Sequence, residues 1–119
     1  MPKDFPRALR IGEQIRRELS ELLRDEIKDP RVKDFSISEV IVSKDLSTAK
    51  VFYSPQFDHP NRDDLQKGLE SSAPFLRKQL GRILRTRIIP TLTFHYDDSL
   101  DRYSRIESLI NKELHRSDK

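Results

Sequence analysis

A proline falls in the middle of the longest amphipathic stretch of this chain and limits what that stretch can become. From about Arg62 to Thr86, the residues Leu65, Leu69, Ala73, Leu76, Leu80, Ile83 and Leu84 fall within about a third of an ideal helical wheel, with Ser72 beside them. Lys78, Arg82 and Arg85 cluster nearly opposite, within about 60° of one another, and Arg77 sits to one side. One face suits a core and the other is purely cationic. Pro74 interrupts both. In a helix interior a proline removes a backbone donor and clashes with the preceding turn, at a cost of roughly 3 kcal/mol. Two helices, with Pro74 near the first position of the second, are the easier solution. Sterics alone therefore predict a kink at Ser72-Ala73-Pro74.

The remaining elements follow from periodicity. Ala8, Ile11, Ile15, Leu19, Leu22, Leu23 and Ile27 recur at helical spacing and predict a first helix from about Arg7 to Lys28, which Asp29-Pro30 should end. Residues Phe35 to Ser43 and Thr48 to Ser54 read as strands joined by a short hairpin link, Ser43-Lys44-Asp45-Leu46-Ser47. Pro55 and Asp58-His59-Pro60-Asn61 read as a loop. Ile88, Pro90, Leu92, Phe94 and Tyr96 alternate with Ile89, Thr91, Thr93 and His95, which predicts a third strand with one apolar face. Asp97-Asp98-Ser99 offers an N-cap for a last helix carrying Leu100, Tyr103, Ile106, Ile110 and Leu114. The expected class is α+β, in the order α-β-β-α-kink-α-β plus a C-terminal helix, with the helices on one face of a three-stranded sheet.

With 119 residues the chain suits a single domain, 1–119. It contains no cysteine, which excludes a disulfide framework and a thiolate zinc site. The opening Met1-Pro2-Lys3-Asp4-Phe5 has no apolar core of a signal peptide, and no segment approaches the roughly 18 apolar residues of a membrane span. A cytoplasmic protein without a membrane partner is expected. The net charge is only +3, too little to imply nucleic acid. Its distribution says more. No acidic residue lies between Ser71 and Tyr96, where Arg77, Lys78, Arg82, Arg85 and Arg87 all fall.

Affinity for nucleic acid comes largely from neutralising phosphates, which requires several Lys or Arg side chains on one surface. Lys78, Arg82 and Arg85 supply that on a helix, with Arg77 and Arg87 flanking. A kink would add unpaired N–H groups at Phe75 and Leu76, a favourable site for an anion. The bland alternative is a solvated helix face. The first helix provides the contrast: Glu13, Glu18, Glu21, Asp25 and Glu26 interleave with its arginines, and Glu13–Arg17 is a favourable pair. Only Arg7 and Arg10, ahead of the first glutamate, join the candidate RNA-binding residues. Phe75, off the apolar stripe, is the candidate for an exposed stacking aromatic; Phe94 and Tyr96 read as core. No phosphate-cradling glycine loop, nucleophile elbow or ligand spacing among His59, His95 and His115 is present, so no catalytic residue, metal or cofactor is expected. His95 with Asp97 is more simply a hydrogen-bonded surface pair, and Asp97-Asp98 a helix cap.

Three ordered blocks carry a resemblance: Glu26-Ile27-Lys28-Asp29-Pro30-Arg31, then Lys44-Asp45-Leu46-Ser47-Thr48-Ala49-Lys50-Val51, and the most specific, Leu84-Arg85-Thr86-Arg87-Ile88-Ile89-Pro90-Thr91-Leu92-Thr93-Phe94, continuing into Tyr96-Asp97-Asp98-Ser99-Leu100. With these the chain resembles the bacterial ribosome-binding factor A family over nearly its whole length. The resemblance implies a type II KH-like domain in which an interhelical kink, here Ser72, Ala73, Pro74 and Phe75, replaces the glycine-rich nucleic-acid loop. It also implies binding to the small (30S) ribosomal subunit or precursor 16S rRNA, assistance in late maturation and 5′-end processing without catalysis, and a link to growth in the cold. The family's kink typically reads Ala, any residue, Gly. Here Pro74 stands at the glycine position, with φ fixed where glycine is free.

The favoured expectation is thus an RNA-binding assembly factor, a monomer with no small-molecule substrate. A protein-docking module meeting an acidic partner is the alternative, and a hydrolase or nuclease the third reading.

Overall fold

The computed structural model describes residues 4–56, 59 and 61–117, and the side chains of 4–6, 100–102, 104 and 113–117 are outside that description. Phe57, Asp58 and Pro60 of the expected loop, and Leu100 and Leu114 of the last apolar stripe, therefore lie outside the described residues. Six elements follow in order: α1 (Asp4–Asp25), β1 (Phe35–Val42), β2 (Thr48–Pro55), α2 (Arg62–Ile83), β3 (Thr91–Tyr96) and α3 (Ser99–Ser117). The class is α+β, as expected. The sheet order is β1-β2-β3, with β1 antiparallel to β2 and β2 parallel to β3.

α1 buries Ala8, Ile11, Ile15, Leu19 and Leu23 against the sheet. It ends at Asp25, three residues before the expected limit. Beyond it Asp29 accepts hydrogen bonds from the Arg31 backbone N–H and guanidinium, and Val32 N–H donates to the Asp29 carbonyl. That turn seats Val32 in the core. Gly12 lets α1 lie close on β1, because a Cβ there would meet the Val40 carbonyl oxygen at 2.8 Å.

β1 does not alternate regularly. Ile37 pairs with Tyr53, but Glu39 pairs with Phe52, so Ser38 is an extra residue, a β-bulge. The bulge turns Ile37 and Val40 to the same side, although they are three positions apart. The hairpin link closes with Leu46 at φ 63°, a left-handed turn conformation, while its side chain is buried. Burial offsets a backbone cost of roughly 1–2 kcal/mol.

α2 differs from expectation. It is one helix through Pro74, capped by the Asn61 side chain accepting from Asp64 N–H, with Asp63 and Asp64 in its first turn and Arg82 in its last. The expected division into two helices is corrected. So is the anion site at Phe75 and Leu76, since a continuous helix has no N-terminus there. The physical reason lies in the burial pattern. Leu65, Leu69, Leu76 and Leu80 are fully buried on either side of the proline, whereas Pro74 and Glu70 are exposed. Only the Glu70 carbonyl loses a helical donor, and water can replace it there. The Ser72 hydroxyl donates to the Gly68 carbonyl in the same turn (2.8 Å), a bond of the kind that bends helices. Because Pro74 is exposed, Pro74→Ala restores a backbone bond at little loss of packing, and the greater freedom of the unfolded chain offsets only part of the gain. The substitution is expected to raise unfolding free energy by about 1–3 kcal/mol, measured by urea denaturation. An unchanged or lower midpoint would mean that the helix has already absorbed the proline.

β3 begins at Thr91 rather than Ile88. Residues 86–88 form a bend, held by the Thr86 hydroxyl donating to the Ile88 carbonyl (2.7 Å), and Pro90 is fully buried. Ile88, expected on the apolar face, is 49% exposed. Leu92 and Phe94 are core, and Tyr96 is partly buried beside Tyr53. Tyr53 donates to Gln66, which in turn donates to the Phe94 carbonyl, so α2 is tied by side chains to both β2 and β3. Asp97 accepts from Ser99 N–H and hydroxyl, as expected of a cap, and from the Ser38 hydroxyl.

The layer of helices on the sheet consists of α1 and α2. Among the described side chains α3 adds no apolar residue to it: Tyr103, Ile106, Leu109 and Ile110 are all exposed. No helix among the described residues is long and apolar enough to cross a membrane.

Candidate RNA interface

The leucine side of α2 is committed to the core, which leaves its opposite side to water. Lys78 and Arg82 are exposed on that side, one helical turn apart. Arg85 and Arg87 continue the positive surface just past the helix end and are exposed as well. Among the described residues none of these four is paired with a carboxylate; the ion pairs are Arg16–Glu13, Arg24–Asp25 and Arg31–Asp29. Arg77 is also exposed, but one of its guanidinium nitrogens donates to the Ile89 carbonyl (3.1 Å), which fastens the α2–β3 link to the helix.

The expected kink residues divide by environment. Ser72 is buried and Ala73 half-buried, whereas Pro74 and Phe75 face solvent, Phe75 at 39% exposure.

The two candidates on α1 separate. Arg7 joins Arg85 and Arg87 around a hollow of about 480 Å³. Arg10 does not. It borders a different, shallow depression with Leu9, Glu13, Gln14 and Arg17. The close partner of Glu13 is Arg16 at 2.7 Å rather than the expected Arg17; the Arg16 hydrogen bond chiefly lowers the Glu13 carboxyl pKa, and the charge of Arg17 lowers it further.

Lys44 completes the first hollow, and sequence reasoning did not single it out as a binding residue. It lies in the hairpin link, about forty positions from Arg85, and nothing in its local pattern signals that neighbour. The carboxylate in the lining is Asp45. Its Oδ1 accepts from Ser43 Oγ (2.7 Å), Ser47 N–H (3.0 Å) and Ser47 Oγ (2.7 Å). These bonds, led by the Ser47 hydroxyl, hold its pKa down to about 2. Asp45 shapes the turn, and the arginines and lysine around it are left to the solvent.

No group of three or more metal-ligating side chains occurs among the described residues. His95 is occupied by Thr93 and the Phe52 ring, whose centroid lies 5.5 Å away. What the arrangement offers is a field of fixed positive charge beside a rigid core, a surface that attracts polyanions.

The profile of ribosome-binding factor A matches residues 7–110. This chain belongs to the ribosome-binding factor A family. A ribosome-binding factor A from Methylobacillus flagellatus is 50% identical over 115 residues, spanning 96% of this chain and 90% of the relative. Among solved structures, a putative ribosome-binding factor A from Thermotoga maritima superposes with a TM-score of 0.69 at 27% identity, covering 83% of this chain and 93% of that one. A homology model of the Thermus thermophilus ribosome-binding factor A, fitted into a cryo-EM map of a 30S complex, shares the fold, with a TM-score of 0.62 at 24% identity over 76% of this chain and 96% of that one. The α-β-β-α-β core fits the KH-like fold that the resemblance implied.

Proposed function

We propose that this chain is a non-catalytic, cytoplasmic assembly factor of the small ribosomal subunit, acting as a monomeric single domain. It binds the 30S subunit or its precursor 16S rRNA and assists late maturation, including 5′-end processing, in keeping with a role in cold growth. The observation that carries this reading is the exposed run Lys78, Arg82, Arg85 and Arg87, unpaired with carboxylates among the described residues, in a member of a family named for ribosome binding. Arg77 and Arg7 flank the run, Arg10 adds a more distant cation, and Phe75 stands ready to stack on a base beside Ser72, Ala73 and Pro74. Such a factor needs no chemistry. It favours one rRNA conformation by binding it better than another, since a ligand shifts an equilibrium only through differential affinity.

The test is co-sedimentation of purified protein with immature 30S subunits, with and without nuclease. Binding should depend on intact RNA. Four to five phosphate contacts predict a log–log salt slope of about −3 to −4. Association that survives digestion of the RNA would transfer the cationic face to an acidic protein partner. Metal-dependent cleavage of precursor rRNA by the protein alone would revive a nuclease.

A further inference from the structure

Three segments remote in sequence build the hollow beyond the end of α2: Arg7 from the start of α1, Lys44 to Leu46 from the hairpin link, and Arg85 to Ile88 from the link into β3. Its volume of about 480 Å³ falls within the roughly 300–1,000 Å³ of pockets that take small organic ligands. Its lining joins two chemistries. Arg7, Lys44, Arg85 and Arg87 give four exposed cations against one carboxylate, that of Asp45, which Ser43 and Ser47 hold in its charged form. Between the cations stands Ile88, half exposed, where a buried strand residue was expected.

The exposure of Ile88 has a local cause. Thr86 holds the Ile88 carbonyl and Pro90 is buried, so the link bends before the strand begins. A rigid duplex would offer this surface its sugar–phosphate backbone, which satisfies the cations and leaves Ile88 in water. An unstacked nucleotide offers both a phosphate and an apolar base face. We propose that this hollow holds one unpaired nucleotide of an RNA strand, its phosphate among Arg7, Lys44, Arg85 and Arg87 and its base against Ile88. The inference rests on the RNA-binding reading and adds to it a preference for RNA with an unpaired residue. Lys78 and Arg82 lie outside the hollow and serve either kind of RNA.

The experiment compares two labelled RNA hairpins with equal numbers of phosphates, one fully paired and one with a single-nucleotide bulge, titrated with the full chain by fluorescence anisotropy at about 0.1 M salt. The bulged hairpin should bind about tenfold more tightly. In Ile88→Ala that ratio should fall below about twofold, and Lys44→Ala should weaken the bulged hairpin more than the paired one. Equal binding of the two hairpins, or a preference that survives both substitutions, overturns the proposal. If both hairpins bind equally and Lys78→Glu weakens both, only the hollow's assignment falls. If neither binds, the RNA reading falls with it. A glutamate-rich peptide that displaces the bulged hairpin as well as unlabelled RNA does would give the hollow to a protein.

Discussion

Reversing Lys78, Arg82 and Arg85 together to glutamate is expected to weaken binding to immature small subunits by at least about a hundredfold at about 0.1 M salt. Three phosphate contacts vanish and three repulsions replace them, so the log–log salt slope should flatten from about −4 toward about −1. The fold should be unaffected. All three side chains are exposed and none forms an ion pair among the described residues, so the circular dichroism spectrum of the triple variant should match the parent. The urea midpoint should fall only slightly, reflecting the roughly 0.3–1 kcal/mol cost of an anion in place of Arg82 in the last turn of α2. Affinity within twofold of the parent, measured by sedimentation across a salt series, would reduce this surface to an ordinary solvated helix face.

The opposite side of the same helix carries the second large effect. Leu76 is fully buried two residues after Pro74. Leu76→Ala is expected to cost about 2–5 kcal/mol, a large part of the roughly 5–15 kcal/mol available to a domain. The urea midpoint should fall sharply, while RNA affinity well below the transition stays near that of the parent, because the cations ride on a helix that Leu65, Leu69 and Leu80 still anchor. A cost under about 1 kcal/mol would mean that the core collapses easily around this turn and that the proline leaves it loosely packed.

The helical wheel of residues 62–86 translated directly into burial, because one amphipathic face leaves a single way to pack. Of the seven residues the spacing selects, Leu65, Leu69, Leu76 and Leu80 are fully buried and Leu84 nearly so, whereas Ala73 and Ile83 are half-buried. Pro74 does not break the helix, since two flanking pairs of buried leucines outweigh one lost backbone bond. Alternation likewise found β3 but extended it to Ile88, where the bend at 86–88 prevails. In α3 the apolar stripe was legible and its partner was not, because periodicity shows that a face is apolar without showing what meets it.

The binding surface was legible only as far as one helix could show it. Lys78 and Arg82 share a helix face as the spacing predicts, whereas Arg85, expected on that face, lies past the helix end at Ile83. That Arg7 and Lys44 meet Arg85 and Arg87 depends on how α1 and the hairpin link are set beside the end of α2. Sequence patterns report neighbours within an element, and such a hollow is made between elements. Arg10 illustrates the converse: three positions from Arg7, it borders another depression entirely.

The extra residue Ser38 divides its strand into an odd-numbered half, with Phe35 and Ile37 inward, and an even-numbered half, with Val40 and Val42 inward. Losing one residue from the middle of a strand ordinarily swaps its inside for its outside. Here the count is already off by one. Removing Ser38 would leave Phe35, Ile37, Val40 and Val42 in strict every-second-residue order on a straighter strand, whereas removing a residue from either regular half would carry Glu39 or Ile41 toward the core.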